Sequence, residues 1–171
     1  MKTTLYMAIS ANGIIATETG DEEFLSHENW EKFCEFARDF GNFVVGRKTY
    51  EAVKKWNGGY NFDDLVGVEK VIISQDQNFK LDNGYTLASS PQDALAKLSR
   101  FERVLITGGA NINSAFAKEN LLDEIILNVE PVFVGKGIPL FAPQDFELKT
   151  KLLSVDKSSS DIVTLRYEVL K

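Results

Sequence analysis

Histidine and cysteine each occur once in these 171 residues, and proline only four times. A Ser-His-Asp or Cys-His constellation would have to be built around His27, and a Cys/His zinc site lacks enough ligands. One cysteine, Cys34, rules out an internal disulfide framework and fits a reducing compartment. Cations are also short. Lys and Arg total 19 against 25 for Asp and Glu, a net charge of -6 with no basic cluster, so no nucleic-acid footprint is expected. No apolar run approaches the roughly 18 residues of a membrane helix. The segment Met1 to Met7 lacks the apolar core and cleavage site of a signal peptide. The expectation is a cytoplasmic chain with neither a nucleic-acid nor a membrane partner and no metal.

What is present is enough apolar material, 44% of residues, to bury a core. Leu5 to Ile9 reads as a buried strand ending in a turn at Asn12-Gly13. Thr17 to Glu23, with its acidic run Asp21-Glu22-Glu23, reads as a solvated loop. Ser26 is placed to cap a helix from 27 to about 40. Phased at 100° per residue, Trp30, Phe33, Cys34, Phe36, Ala37 and Phe40 share one arc with Ser26 and Asn29. Glu28 falls on the opposite face and His27 at its edge. An inward Asn29 must find partners or line a cavity.

Strands follow at 42–46, 70–74, 85–88 and 103–107, and helices from Arg47 through Trp56, from Pro91 to about Arg100, and from about Asn111 to Glu119. A loop from Trp56 to Gly67 carries Gly58-Gly59. Residues 124–134 form one strand, or two broken at Pro131, and strands at 147–155 and 162–169 flank a polar turn at 156–161. Alternating strands and helices with a β-rich end indicate an α/β sheet closed by an antiparallel hairpin. There is no internal repeat and no linker, so a single domain over 1–171 is expected.

Three strand-to-helix junctions carry chemistry: Gly46-Arg47-Lys48-Thr49, Ser74-Gln75-Asp76 and Thr107-Gly108-Gly109-Ala110-Asn111. Ligands of open α/β sheets lie at the carboxyl ends of strands. Glycine there lets backbone N–H groups approach an anion, and a basic neighbour suits a phosphate. Neither Gly-x-Gly-x-x-Gly nor a Walker ending is present.

These segments occur in the order of a known superfamily. Ala8 to Ala16 resembles the first strand and turn of the dihydrofolate reductases, Gly46 to Glu51 their Gly-Arg-x-Thr-aromatic-Glu segment, and Ile106 to Ile112 their Gly-Gly cofactor turn. Asn120 to Glu124 and Gly135 to Phe141 are similar to a sister branch, the reductase domain of bacterial riboflavin biosynthesis. The resemblance implies a mixed, mostly parallel sheet of about eight strands flanked by about four helices. It implies NADPH, with Ala8 and Ile15 at the nicotinamide and with Gly46, Arg47, Lys48, Thr49, Thr107, Gly108, Gly109, Ala110, Asn111 and Ile112 around the phosphates. Ser74 and Gln75 fall near the adenosine 2′-phosphate, and a cis peptide joins Gly108 to Gly109. Hydride then comes from the cofactor, which agrees with the scarcity of His and Cys.

On the substrate side the resemblance implies Tyr6, Ala8, Phe33, Thr107 and Asn128. It also places Asn29 where the dihydrofolate reductases carry the carboxylate that serves proton delivery. Asn cannot be a general acid, which leaves water, Glu28, or Glu31 after a register shift. Val68 stands where an arginine holds the folate tail, with Lys70 the nearest cation, and Asn128 replaces a hydroxyl residue. The leading expectation is reduction of dihydrofolate to tetrahydrofolate. Through residue 86 there are 9 cations and 14 anions, with no evident site for a phosphorylated substrate. The alternative is reduction of the ribosyl group of an aminopyrimidine phosphate, a 5-amino-6-(5-phosphoribosylamino)uracil-type reaction. A third is a dinucleotide-binding module without turnover. The branches resemble monomers and homodimers respectively. For His27 an exposed first-turn role is expected, and for Cys34, Phe33, Phe36 and Phe40 a place in the core.

Overall fold

Runs such as Phe43-Val44-Val45, Val71-Ile72-Ile73 and Val104-Leu105-Ile106 present apolar side chains in both directions, so they suit a sheet covered on both faces. The computed structural model describes residues 1–56, 60–158 and 161–171 and buries all three runs. The strands are β1 (Lys2–Ser10), β2 (Ile14–Ala16), β3 (Asn42–Gly46), β4 (Glu69–Ile73), β5 (Tyr85–Ala88), β6 (Arg103–Ile106), β7 (Glu124–Glu130), β8 (Ile138–Pro139), β9 (Lys149–Lys157) and β10 (Val163–Leu170). The helices are α1 (His27–Phe40), α2 (Arg47–Val53), α3 (Pro91–Lys97) and α4 (Ala110–Lys118).

The main sheet has the order β5-β4-β3-β6-β1-β7-β10-β9. The six strands from β5 to β7 pair in parallel, whereas β10 runs antiparallel to both β7 and β9. A separate antiparallel pair joins β2 to β8.

Side chains alternate across β1, which divides the core into two layers. Leu5, Met7 and Ile9 pack with Ala94 of α3, Leu98 at its C-cap, and Ala110, Phe116 and Ala117 of α4. Tyr6 packs on the other face with Phe33, Ala37 and Phe40 of α1 and with Tyr50 and Val53 of α2. The helix α1 stops at Gly41, whose φ of 70° is the left-handed conformation that favours glycine and whose N–H reaches the Ala37 carbonyl.

Several boundaries differ from the sequence reading. The second helix ends at Val53 rather than Trp56, because Lys55 and Trp56 close i→i+3 turns on Ala52 and Val53. The third ends at Lys97 for the same reason, with Ser99 and Phe101 bonding three residues back. The 124–134 segment is strand only to Glu130; at Pro131 the missing N–H ends the ladder. The closing hairpin lies two residues later at its start, and a register shift at Arg166/Tyr167 absorbs the offset between its strands. Within the expected 56–67 loop, Phe62–Asp64 forms a 3₁₀ turn capped by Asn61. Gly58 and Gly59, and part of the expected 156–161 turn, lie outside the described residues.

Candidate functional site

The carboxyl ends of β3, β4 and β6 come together as the junction pattern requires. Gly46 N–H donates to the Gly108 carbonyl at 2.8 Å, and Thr107 N–H to the Val44 carbonyl at 2.9 Å. A Cβ on Gly46 would lie 2.8 Å from Ile112 Cγ1, and one on Gly109 would lie 3.0 Å from Thr49 Oγ1. Gly108 has φ 88° and is joined to Gly109 by a cis peptide, where the resemblance places it. Gly109 heads α4 with no side-chain cap, so the first N–H groups of that helix are not taken up by a capping side chain. Asn113 is fully buried, and its Oδ1 has no partner among the described residues. Close-packed glycines and a helix start without a side-chain cap form a cradle whose backbone N–H donors suit an anion such as a dinucleotide phosphate.

Around this cradle the structure sorts the expected residues. Arg47 is partly exposed; its guanidinium lies 3.6 Å from Glu51, 3.8 Å from Asp76 and 5.1 Å from the Phe79 ring centroid. Lys48, Gln75 and Asn111 are exposed. Ser74 is buried, and its hydroxyl accepts from the Asp76 N–H at 3.1 Å. Asp76 therefore competes for Arg47 at the position where a 2′-phosphate was expected. Ala8 is partly exposed on β1 and Ile15 is buried on β2.

The substrate-side residues meet on the α1 face of β1 and β7. In the parallel register Ala8 stands beside Asn128 and Ser10 beside Glu130. Asn29 is buried, as its helix phase requires, and donates through Nδ2 to Glu130 Oε1. Asn128 Nδ2 donates to Asn29 Oδ1 and to the Tyr6 hydroxyl, both at 2.9 Å. Tyr6 in turn donates to the Asn29 carbonyl at 3.2 Å, and Thr164 of β10 to Asn128 Oδ1 at 2.7 Å. Burial first, and then nearby carboxylates, push the Tyr6 hydroxyl far above its ordinary range, so it remains a donor. Phe33 packs into the core against Phe43, Phe62 and Trp30 at 5.3–5.7 Å.

Glu28 is partly exposed on α1, and its charge helps to raise the Tyr6 hydroxyl. Two sequence expectations are corrected by the fold. Ser26 holds the N-cap position of α1, but its hydroxyl makes no cap bond and is buried without a partner among the described residues. Glu22 is not a solvated loop acid: it is half-buried, and burial, aided by the Asp21 charge, pushes its carboxyl up to about 8. Lys70, the cation nearest to Val68, is enclosed by the fold. It is buried, donates to the Leu65 carbonyl at 2.8 Å and the Val68 carbonyl at 3.3 Å, and burial lowers its pKa. His27 is exposed beside Tyr60 and Glu31, and Cys34 is a core residue, as expected.

Glu130 and Thr164 escaped the sequence reading. The signal for Glu130 was present: Asn128 and Glu130 share one face of a strand whose neighbours are apolar, immediately before a proline. Among the described residues, no group of three His, Cys, Asp or Glu side chains could hold a metal ion, and no helix is long and apolar enough to cross a membrane.

A family model described as the RibD C-terminal domain matches residues 1–164. The uncharacterised protein YwjB of Bacillus subtilis (strain 168) is 32% identical over 172 residues, covering 97% of both chains. A Thermotoga maritima diaminohydroxyphosphoribosylaminopyrimidine deaminase/5-amino-6-(5-phosphoribosylamino)uracil reductase superposes with a TM-score of 0.72 at 18% identity. That match covers 99% of this chain and 56% of the Thermotoga one. Dihydrofolate reductase from Enterococcus faecalis gives a TM-score of 0.75 at 15% identity, covering 99% of this chain and 97% of that one. The fold is dihydrofolate reductase-like.

Proposed function

Because this chain belongs to the RibD C-terminal domain family, we propose that it is an NADPH-dependent reductase acting on an aminopyrimidine-type substrate, ahead of dihydrofolate. The observation that carries the reading is the family match over residues 1–164, supported by the Gly46/Gly108-Gly109 cradle at the ends of β3 and β6 and by the polar row Tyr6, Asn29 and Asn128 on the α1 face of β1 and β7. When bound, NADPH supplies hydride; the protein supplies orientation and a path for the proton.

In this reading the start of α4 and the glycine backbone hold the pyrophosphate, with Thr49 beside them. Arg47 and Ser74 meet the adenosine end, and the backbone at Ala8 and Ile15 meets the nicotinamide. Asn29, held by Glu130 and Asn128, faces the substrate as a hydrogen-bonding amide and not as an acid. The dihydrofolate determinants are missing as a set: no carboxylate at position 29, valine at 68, and Lys70 occupied by two carbonyls. Their joint absence, together with the family, supports reduction of the ribosyl group of 5-amino-6-(5-phosphoribosylamino)uracil over the pterin reaction.

Following NADPH absorbance with each substrate tests this. Cofactor consumption with the aminopyrimidine phosphate, and far slower consumption with dihydrofolate, is the expected result. The reverse order replaces the substrate assignment, and absence of NADPH binding by fluorescence quenching overturns the reductase reading.

A further inference from the structure

A buried carboxylate needs donors, and the donors around Glu130 are incomplete. The residue is only 6% exposed, yet it makes no ion pair among the described residues. Its Oε1 takes both protein bonds, from the Ser26 N–H at 2.7 Å and from Asn29 Nδ2. Neither bond goes to Oε2. The hydroxyl of the same Ser26 is buried without a partner among the described residues. Burial without a cation is costly for a carboxylate unless hydrogen-bond donors surround it. The strand register sets the surroundings of Oε2: Glu130 stands beside Ser10 and Asn128 beside Ala8, on the face of β1 that carries Tyr6. A ring lying over the partly exposed Ala8 meets Asn29 on one side and the end of β7 on the other.

We propose that Glu130 is the substrate-recognising carboxylate of this chain, standing at the end of β7 in place of the one absent from α1, and that it selects rings in which a ring N–H and an exocyclic amino N–H share one carbon. Two such N–H groups run parallel and lie close enough to share Oε2, and a charged acceptor strengthens both bonds. Asn29 is held by Glu130 and Asn128 so that its second amide hydrogen remains for a ring acceptor. The donor pair occurs in two ring classes: N1–H with the 6-amino group of a 6-aminouracil, and N3–H with the 2-amino group of a 2-amino-4-oxopyrimidine. Uracil has no such pair. The inference rests on the reductase reading for the location of the substrate but not for its test.

The test is titration of 6-aminouracil, isocytosine and uracil into the protein, with and without NADPH, followed by amide NMR. At least one donor-pair ring should bind about tenfold more tightly than uracil and shift the Ser26 amide resonance. Preference for 6-aminouracil assigns the aminopyrimidine class, and preference for isocytosine the pterin class. Glu130→Gln should abolish the preference while leaving NADPH affinity unchanged. Equal binding of all three rings, binding of none, or a preference that survives in Glu130→Gln overturns the proposal. If that variant does not fold, the wild-type Ser26 resonance decides, because binding that leaves it unmoved is equally fatal. A protein that fails to bind NADPH but keeps the ring preference loses the reductase reading and retains this one.

Discussion

Replacing Gly46 with alanine separates a spatial requirement from a conformational one. Gly46 has φ -77° and ψ 151°, an extended conformation open to alanine. The backbone alone therefore predicts a gain of about 0.4–1 kcal/mol from a stiffer unfolded chain. Space predicts the opposite. The new Cβ would sit 2.8 Å from Ile112 Cγ1, about 1 Å inside an ordinary carbon contact of roughly 3.8 Å. Relief requires Ile112 to leave its rotamer or α4 to retreat, an overpacking cost of about 1–3 kcal/mol. The net expectation is a loss of about 1–2 kcal/mol, or roughly 2–8 °C in Tm for a chain of this size. Because the retreat moves the start of α4, NADPH affinity should fall with it. Urea unfolding of the two single variants and the double variant checks the cause. In an Ile112→Ala background the same Gly46→Ala change should become neutral or stabilising. An equal loss in both backgrounds would refute the steric account.

Arg47→Ala should weaken NADPH by roughly ten- to a hundredfold, the range for one charge-assisted contact, and NADH far less. Asp76→Asn should act in the opposite sense on NADPH by releasing Arg47; fluorescence titration of both cofactors with both variants measures the pair, and equal effects on NADPH and NADH would remove the 2′-phosphate role. Glu22 makes stability pH-dependent. Its carboxyl is raised from 4.5 to about 8 in the folded chain, so the unfolded state releases its proton first and folding stability falls as pH rises from about 4.5 to about 8. Glu22→Gln should flatten that part of the curve in chemical denaturation across pH, and an unchanged slope would place Glu22 in water.

The glycine cradle proposed for the cofactor was readable in the sequence because it depends on local chemistry. Glycines at strand ends, a following Arg-Lys-Thr and helix starts each act within a few residues, and chain order alone brings them to one edge of a parallel sheet. The inward face of Asn29 was equally local, since helical phase determines it. The ends of α2 and α3 were less legible, because they close with i→i+3 turns that no glycine or proline announces.

The substrate half depended on register between distant strands. Glu130 lies 101 residues from Asn29, and their hydrogen bond exists only because β1 and β7 pair with Ser10 beside Glu130. Lys70 reads in sequence as the cation nearest to Val68, and in the fold it is enclosed and donates to two carbonyls. Glu22 reads as a solvated acid, yet burial raises its carboxyl. Residue type and spacing by themselves determined a dihydrofolate reductase-like α/β frame with glycine turns at its strand ends. Which carboxylate stands beside Asn29, and which charges are buried, was decided by tertiary packing, because burial and pairing across strands set the state of a charge and neither is written in its neighbours along the chain.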